Sequence, residues 1–376
     1  MIYLDNSATT NPKPQVVKNA VSKAMNYYSF NSGRGGYKES VNTSNMIFTV
    51  REKIADMFSF LPQNIAFVPN CTFALNYAIK GIAKPGDHFI ISNLEHNAVV
   101  RPIYSLYEKG IISYDAAKFS YDKEERINNF KSLIKANTKA IVCMHASNVF
   151  GCVFPIKEIG KLAHDNGIIF IVDAAQSAGV LDIDAGRDNI DILCTPGHKG
   201  LYAPMGSGFI AVGDGITLDT IIEGGTGSMS MILSQPKDLP DRLESGTLNN
   251  VAICGLAAGI DFVNNKKIDN IYNHEKSLMN MVYKEMSKNE NVTLYTPDFK
   301  DAFSAPILSF NFKDYPSEKT ASLLAQKNIA TRAGFHCSKL AHEAFNTNER
   351  GTVRISPSVF TNFSECEIFI NTLKKL

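Results

Sequence analysis

Between residues 65 and 212 one unit repeats: a short apolar run that stops at a polar residue, followed by a stretch of helical periodicity. Ile65–Val68 runs into Asn70, Cys71 and Thr72, and a helical pattern follows over 73–82, with Asn70 or Thr72 as its cap. The run 89–92 ends at Glu95-His96-Asn97, with a helix from about Val100, and 140–145 ends at Ser147-Asn148. After an amphipathic 156–166, the run 168–172 stops at Asp173, and 190–194 stops at Thr195-Pro196-Gly197-His198-Lys199. Strand and helix alternating at this spacing predict right-handed crossovers and an α/β architecture, a doubly wound and largely parallel sheet. The carboxyl ends of such strands open on one shared crevice. Thr72, His96, Asn148, Asp173, Gln176, His198 and Lys199, all at or just after strand ends, are therefore expected together.

The flanking segments read differently. Residues 1–14 form an extended arm, and helical patterns start at Gln15 and over 44–58. After Gly208–Val212, a further strand, comes a Gly- and Met-rich loop over 223–231. Helical periodicity then persists from Asn250 to about Asn289, and strands are expected over 307–312 and 352–356. At 376 residues the chain is long for a single core. We expect a large domain of residues 15–258 and a smaller α+β domain of 1–14 and 259–376.

Composition removes several function classes. A net charge of +1 with a pI of about 7.6 favours neither nucleic acid nor an anionic membrane. The seven cysteines contain no CxxC pair, which disfavours a zinc ribbon or a thioredoxin-type site. No basic and apolar leader opens the chain and no apolar run reaches membrane-spanning length, so a reducing cytoplasm is the expected compartment.

An acid and a lysine delivered to one crevice suit pyridoxal phosphate, whose ring nitrogen needs an anionic partner and whose aldehyde needs an amine. Lys199 would be that amine and Asp173 that anion, with a plain salt bridge between strand ends as the bland alternative. His96 would stack on the ring, or be an ordinary loop histidine. The Cys71 and Thr72 amides at a helix start, helped by Gln176 and His198, would take the phosphate. A second group lies over 331–342, where Cys337 follows His336 and Arg332 precedes both. A neighbouring imidazolium or arginine would lower the thiol pKa and make it nucleophilic. The alternatives there are a structural cysteine, or a metal held by His336, Cys337 and His342, which lacks a fourth ligand. Arg354 is a candidate fork for a substrate carboxylate. Gly224–Ser228 (numbers 224–228) has no Lys-Ser/Thr behind it and is not a phosphate-binding P-loop.

These residues fall in motifs with a known pattern: Tyr3-Leu4-Asp5-Asn6-Ser7, Glu95-His96-Asn97-Ala98, Ser147-Asn148-Val149, Val172-Asp173-Ala174-Ala175-Gln176, Pro196-Gly197-His198-Lys199, Glu244-Ser245-Gly246-Thr247 and Arg332-Ala333-Gly334-Phe335-His336-Cys337. Over essentially its full length the chain resembles the cysteine desulfurase and selenocysteine lyase group of the class V aminotransferase superfamily. The resemblance implies pyridoxal-phosphate fold type I and a homodimer with its sites at the interface. It implies Lys199 as the cofactor's lysine, Asp173 as the ring-nitrogen partner, His96 as the stacking residue and Gln176 as the partner of the phenolic oxygen. Cys71, Thr72 and His198 would hold the phosphate, and Asn148, Arg332 and Arg354 the substrate. Arg34 and Thr247 match positions lent to the neighbouring subunit. Cys337 would take sulfur from L-cysteine as a persulfide, leaving alanine, and pass it to an acceptor protein. L-selenocysteine is the alternative substrate, and a transaminase or β-eliminating enzyme with an idle Cys337 the alternative chemistry. Pro196, Cys71 and Phe73 replace residues common in the SUF-type group that shares the Arg-x-Gly-x-His-Cys loop, and the Pro-Gly-His-Lys-Gly and Glu-Ser-Gly-Thr-Leu-Asn motifs look more like a less characterised branch.

Overall fold

The structure, a computed structural model, describes residues 1–376 except 33, 34, 297, 300–303 and 314, so Arg34 lies outside the described residues. The arm carries β1 (Ile2–Tyr3). A large sheet is built from β2 (Ile65–Val68), β3 (Asp87–Ser92), β4 (Ile112–Ala117), β5 (Thr138–Met144), β6 (Ile169–Asp173), β7 (Ile192–Pro196) and β8 (Gly208–Val212). Later chain supplies β9 (Val292–Leu294), β10 (Leu308–Phe312), β11 (Ile329–Ala330) and β12 (Val353–Ile355).

In the large sheet the strand order is β2-β8-β7-β6-β5-β3-β4. All neighbouring pairs are parallel except those made by β8, which runs against both β2 and β7. The central runs are apolar throughout because both of their faces are covered. Phe170, Val172 and Leu193 point into one core with Ile47, Ile54, Ile159 and Leu256. Ile171, Ile192 and Cys194 point into the other with Leu75, Ala78, Val99 and Ile103. Every strand end thus sits between two fixed layers of helix, which holds the polar residues that follow it.

A third core gathers Leu4 of the arm with Leu278, Val282, Phe310, Leu324, Val353 and Phe369. Here β10 pairs antiparallel with β9 and β12, and β1 pairs parallel with β11. No helix among the described residues is long and apolar enough to cross a membrane.

Three boundaries differ from expectation, each for a local reason. The helix expected over 44–58 begins at Lys38, because its first buried positions are Ser40 and Thr43, whose hydroxyls bond back to the Asn31 and Glu39 carbonyls. Periodicity from Asn250 onward is cut at Lys267, φ 68, into helices Asn250–Lys266 and Ile268–Met286. β4 was not anticipated: it is an edge strand whose residues are largely half-buried or exposed, so its sequence carries little apolar signal.

Candidate active site

At the carboxyl end of the central strands the structure opens a cleft of about 510 Å³ of free space. It brings together Cys71, Thr72, His96, Asn148, Asp173, Gln176, His198 and Lys199. Five separate strand ends contribute, those of β2, β3, β5, β6 and β7, which is the crevice that a doubly wound sheet provides. Thr247 is not among these residues: it is exposed and lines a separate groove with Phe67, Tyr77 and Leu243.

Asp173 closes β6 and is buried. Its Oδ1 accepts from the Ala175 N–H at 2.8 Å and from the Cys71 thiol at 3.5 Å. Burial raises its pKa, and the Ala175 N–H and the charge of Lys199 offset this only in part. Lys199 Nζ has no hydrogen-bond partner among the described residues. Burial lowers its pKa, against the pull of Asp173. The two groups make no ion pair within 4 Å, so the salt-bridge alternative falls. What remains is a carboxylate without a cation and an amine pushed toward its neutral, nucleophilic form. This donor set fits pyridoxal phosphate, which brings a protonated ring nitrogen and an aldehyde.

The opposite end of the cleft suits an anion. The helix Cys71–Ile82 points its N-terminus into the cleft and is capped by Asn70, whose side chain accepts from the Phe73 N–H at 3.2 Å. Thr72 is therefore not the cap, and its hydroxyl is not spent. His198 Nδ1 is buried without a partner, and burial lowers the His198 pKa to about 4. The ring stays neutral and offers its nitrogen for hydrogen bonding. His96 caps the helix Asn97–Glu108 by accepting from the Ala98 N–H at 3.0 Å, and burial lowers its pKa to about 4. Its ring is thereby fixed at the cleft wall as a neutral plane.

Cys337 is exposed and does not line the cleft, yet its loop is tied to the rim. The Cys337 carbonyl accepts from the Asn97 N–H at 2.8 Å, next to His96. Asn148 donates to the His336 carbonyl at 2.9 Å and accepts from the Ser338 hydroxyl at 2.8 Å. His336 and Cys337 both hold left-handed backbone conformations, φ 47 and 58, which non-glycine residues adopt only when their surroundings insist. Of the two groups expected beside the thiol, an imidazolium or an arginine, burial works against the imidazolium. His336 is buried, its Nε2 bonds the Thr352 carbonyl at 2.9 Å, and burial with the Arg354 charge holds its pKa well below the usual value. Arg332 is exposed, and its main chain pairs with that of Arg354. Arg354 is buried, with Nη1 on the Asn148 carbonyl at 2.7 Å and Nη2 on Asp5 at 2.8 Å.

Sequence reasoning placed the arm in the smaller domain and gave it no part in the site. In the structure Thr10 bonds the His198 and Lys199 carbonyls at 3.2 and 3.1 Å, and Lys13 bonds the His198 carbonyl at 2.8 Å. Gln176 donates one N–H to the Ser7 carbonyl at 3.0 Å, which leaves its oxygen and its second N–H for a ligand. The arm thus fixes the turn that presents Lys199. The advance signals were the motif over 3–7 and the dense run of small, mostly polar residues over 5–10, which a structureless arm has no use for.

Comparison with known proteins agrees with this layout. A protein of Borreliella burgdorferi named probable cysteine desulfurase is 30% identical over 390 residues, spanning 100% of this chain and 92% of its own length. Another of that name from Methanothermobacter thermautotrophicus is 29% identical over 385 residues, spanning 100% and 94%. The apo structure of a cysteine desulfurase from Thermococcus onnurineus matches with a TM-score of 0.88 at 27% identity, covering 100% of this chain and 94% of that one. The profile described as Aminotransferase class-V matches residues 2–369, and the chain belongs to that family, whose members depend on pyridoxal phosphate.

Proposed function

We propose that this protein is a cysteine desulfurase that binds pyridoxal phosphate and moves sulfur from L-cysteine onto Cys337. The observation that carries this reading is the tie between cleft and thiol. Asn148 and Asn97 hold the Cys337 loop at the rim of the same cleft that contains Asp173 and Lys199. The names of the relatives point the same way.

When bound, pyridoxal phosphate supplies an aldehyde for an amino group and a sink for the electrons released at the substrate's Cα. Asp173 would hold the ring nitrogen's proton, and the Cys71 and Thr72 amides with His198 Nδ1 the phosphate. His96 would cover the ring face. Lys199, pushed toward its neutral form by desolvation, would give up the aldehyde to the substrate's amine and then carry the proton at Cα. Arg354 would take the substrate's carboxylate. The Cys337 thiolate attacks the substrate's sulfur: the Cβ–S bond breaks, an S–S bond forms, and Cβ and Cα are protonated to give alanine. The persulfide then passes to an acceptor protein.

The protein would act in the cytoplasm as a homodimer. Thr247 faces away from the cleft of its own chain, and its segment is tied by the Gly246 N–H to the Gly225 carbonyl, at the base of a loop that exposes Met231 and Leu233. A second copy covering this loop would receive Thr247.

The test is alanine and sulfide production from L-cysteine by wild type and Cys337→Ala, with L-selenocysteine in parallel. Loss of sulfur transfer from cysteine in the variant is expected. Full retention refutes the persulfide route, and activity confined to selenocysteine makes the protein a selenocysteine lyase.

A further inference from the structure

Arg354, the fork assigned to the substrate, already holds a carboxylate of its own chain. Its Nη2 donates to Asp5 Oδ1 at 2.8 Å, its Nη1 to the Asn148 carbonyl at 2.7 Å, and its Nε is buried without a partner. The two members of this ion pair differ in their way out. The arginine side chain is 3% exposed, whereas that of Asp5 is 19% exposed and can turn to water.

The main chain around Asp5 is anchored independently of that side chain. The Asn6 N–H bonds the Ser356 carbonyl and the Ser7 N–H bonds the Ser356 hydroxyl, while Tyr3 Oη donates to the Asp5 carbonyl at 3.2 Å. Asp5 can therefore leave the guanidinium by a side-chain rotation, without unpicking the arm. A buried guanidinium cannot be left without an anion, because an uncompensated buried charge is strongly destabilising. Exchange of one carboxylate for another avoids that cost. The fork also lies within electrostatic reach of the reacting groups, since its charge acts on both Lys199 and His96.

We propose that Asp5 stands in for the substrate's carboxylate: an α-amino acid occupies Arg354 by displacing Asp5, and Asp5 thereby sets the site's affinity and its demand for a free carboxylate. The proposal rests on the reading of Arg354 as the substrate fork. A ligand whose carboxylate is masked as an amide offers nothing in exchange and leaves Asp5 in place. The competing arrangement keeps Asp5 on Arg354 permanently and puts the substrate's carboxylate on the exposed Arg332.

The experiment compares cofactor-loaded wild type with Asp5→Asn, using L-alanine and propionate as probes. Removal of the internal competitor lowers the half-saturating L-alanine concentration, read from the cofactor's absorption, by about tenfold. Propionate raises the thermal midpoint of the variant and leaves that of wild type unmoved. Equal half-saturation in the two proteins, or a variant that does not respond to propionate, overturns the proposal. If Asp5→Asn does not fold, a crystal structure of wild type with L-alanine decides. A ligand carboxylate on Arg354 with Asp5 turned to solvent supports exchange, and an unbroken Arg354–Asp5 pair beside a bound ligand refutes it. Absence of cofactor absorption in both proteins refutes the pyridoxal-phosphate reading instead, while the propionate response still reports on Asp5.

Discussion

The cleft and the Cys337 loop differ in how they are tied to the rest of the chain. In the cleft, His198 Nδ1 is buried without a partner, Lys199 Nζ and the exposed Thr72 hydroxyl bond no other described residue, and Asp173 has no cation. In the loop, both ends of the Asn148 side chain are spent, on His336 and Ser338, and the Cys337 carbonyl is held by Asn97, while His336 Nδ1 and His342 Nε2 stay buried without a partner. Buried polar groups in folded proteins are nearly always paired, so unspent ones cost free energy unless a ligand completes them. The difference teaches that the cleft has open groups able to receive a ligand, while the loop spends its bonds on fixing the main chain around Cys337. The cleft's open groups also sit on strand ends fixed by two cores, whereas the loop depends on single hydrogen bonds.

The comparison is broken most severely by removing the amine. Lys199→Ala is expected to lower kcat for alanine formation by about 10³-fold, the scale of a positioned acid–base group. The fold should survive, because no buried hydrogen bond is lost. Retained activity would show that the unspent amine is not the reacting one.

Asn148→Ala tests the other half. It leaves the Ser338 hydroxyl and the His336 carbonyl with only their long mutual bond of 3.4 Å, at a cost of about 1 kcal/mol for the bonds lost. The expected outcome is a normal cofactor spectrum with reduced persulfide on Cys337, measured by mass spectrometry after cysteine treatment. Asn148→Asp keeps the acceptor for Ser338 and loses the donor to His336, so it should fall between. Equal losses of cofactor and persulfide would mean that Asn148 serves the cleft and not the loop.

The two halves were unequally legible in the sequence. The parallel sheet and the grouping of Asp173 with Lys199 follow from apolar runs with polar ends, because a run buried on both faces fixes where its last residue emerges. The role of the arm did not follow: Thr10 and Lys13 reach Lys199 through main-chain carbonyls, which carry no side-chain signature. The burial of His336, which works against a charged ring beside the thiol, was not legible for a related reason. Adjacency in sequence says nothing of burial, and the ring turned inward to Thr352. The Asp5–Arg354 pair joins residues 349 positions apart, beyond any local pattern.

The smallest effect on activity is expected from Glu95→Gln, which sharpens the comparison through pH. Glu95 is fully buried beneath the cleft, where its Oε1 accepts from Ser92 Oγ at 2.5 Å and from the Met144 N–H at 2.8 Å, linking β3 to β5. Burial raises its pKa from 4.5 to about 8, so the folded state keeps a proton that the unfolded chain gives up. Its contribution to stability is complete below about pH 4.5 and is lost as pH rises through about 8. His96 and His198 have the opposite sign. Their folded pKa values fall from 6.5 to about 4, so their contribution is present above 6.5 and is lost as pH falls through about 4. Glutamine keeps the Oε1 acceptor and cannot ionise. Thermal midpoints of Glu95→Gln measured from pH 5 to 8.5 should therefore lack part of the alkaline decline of wild type and keep its acid decline. A variant whose alkaline decline matches that of wild type would show that Glu95 is already ionised in the folded protein, and that the unspent groups above it have a buried anion for a neighbour.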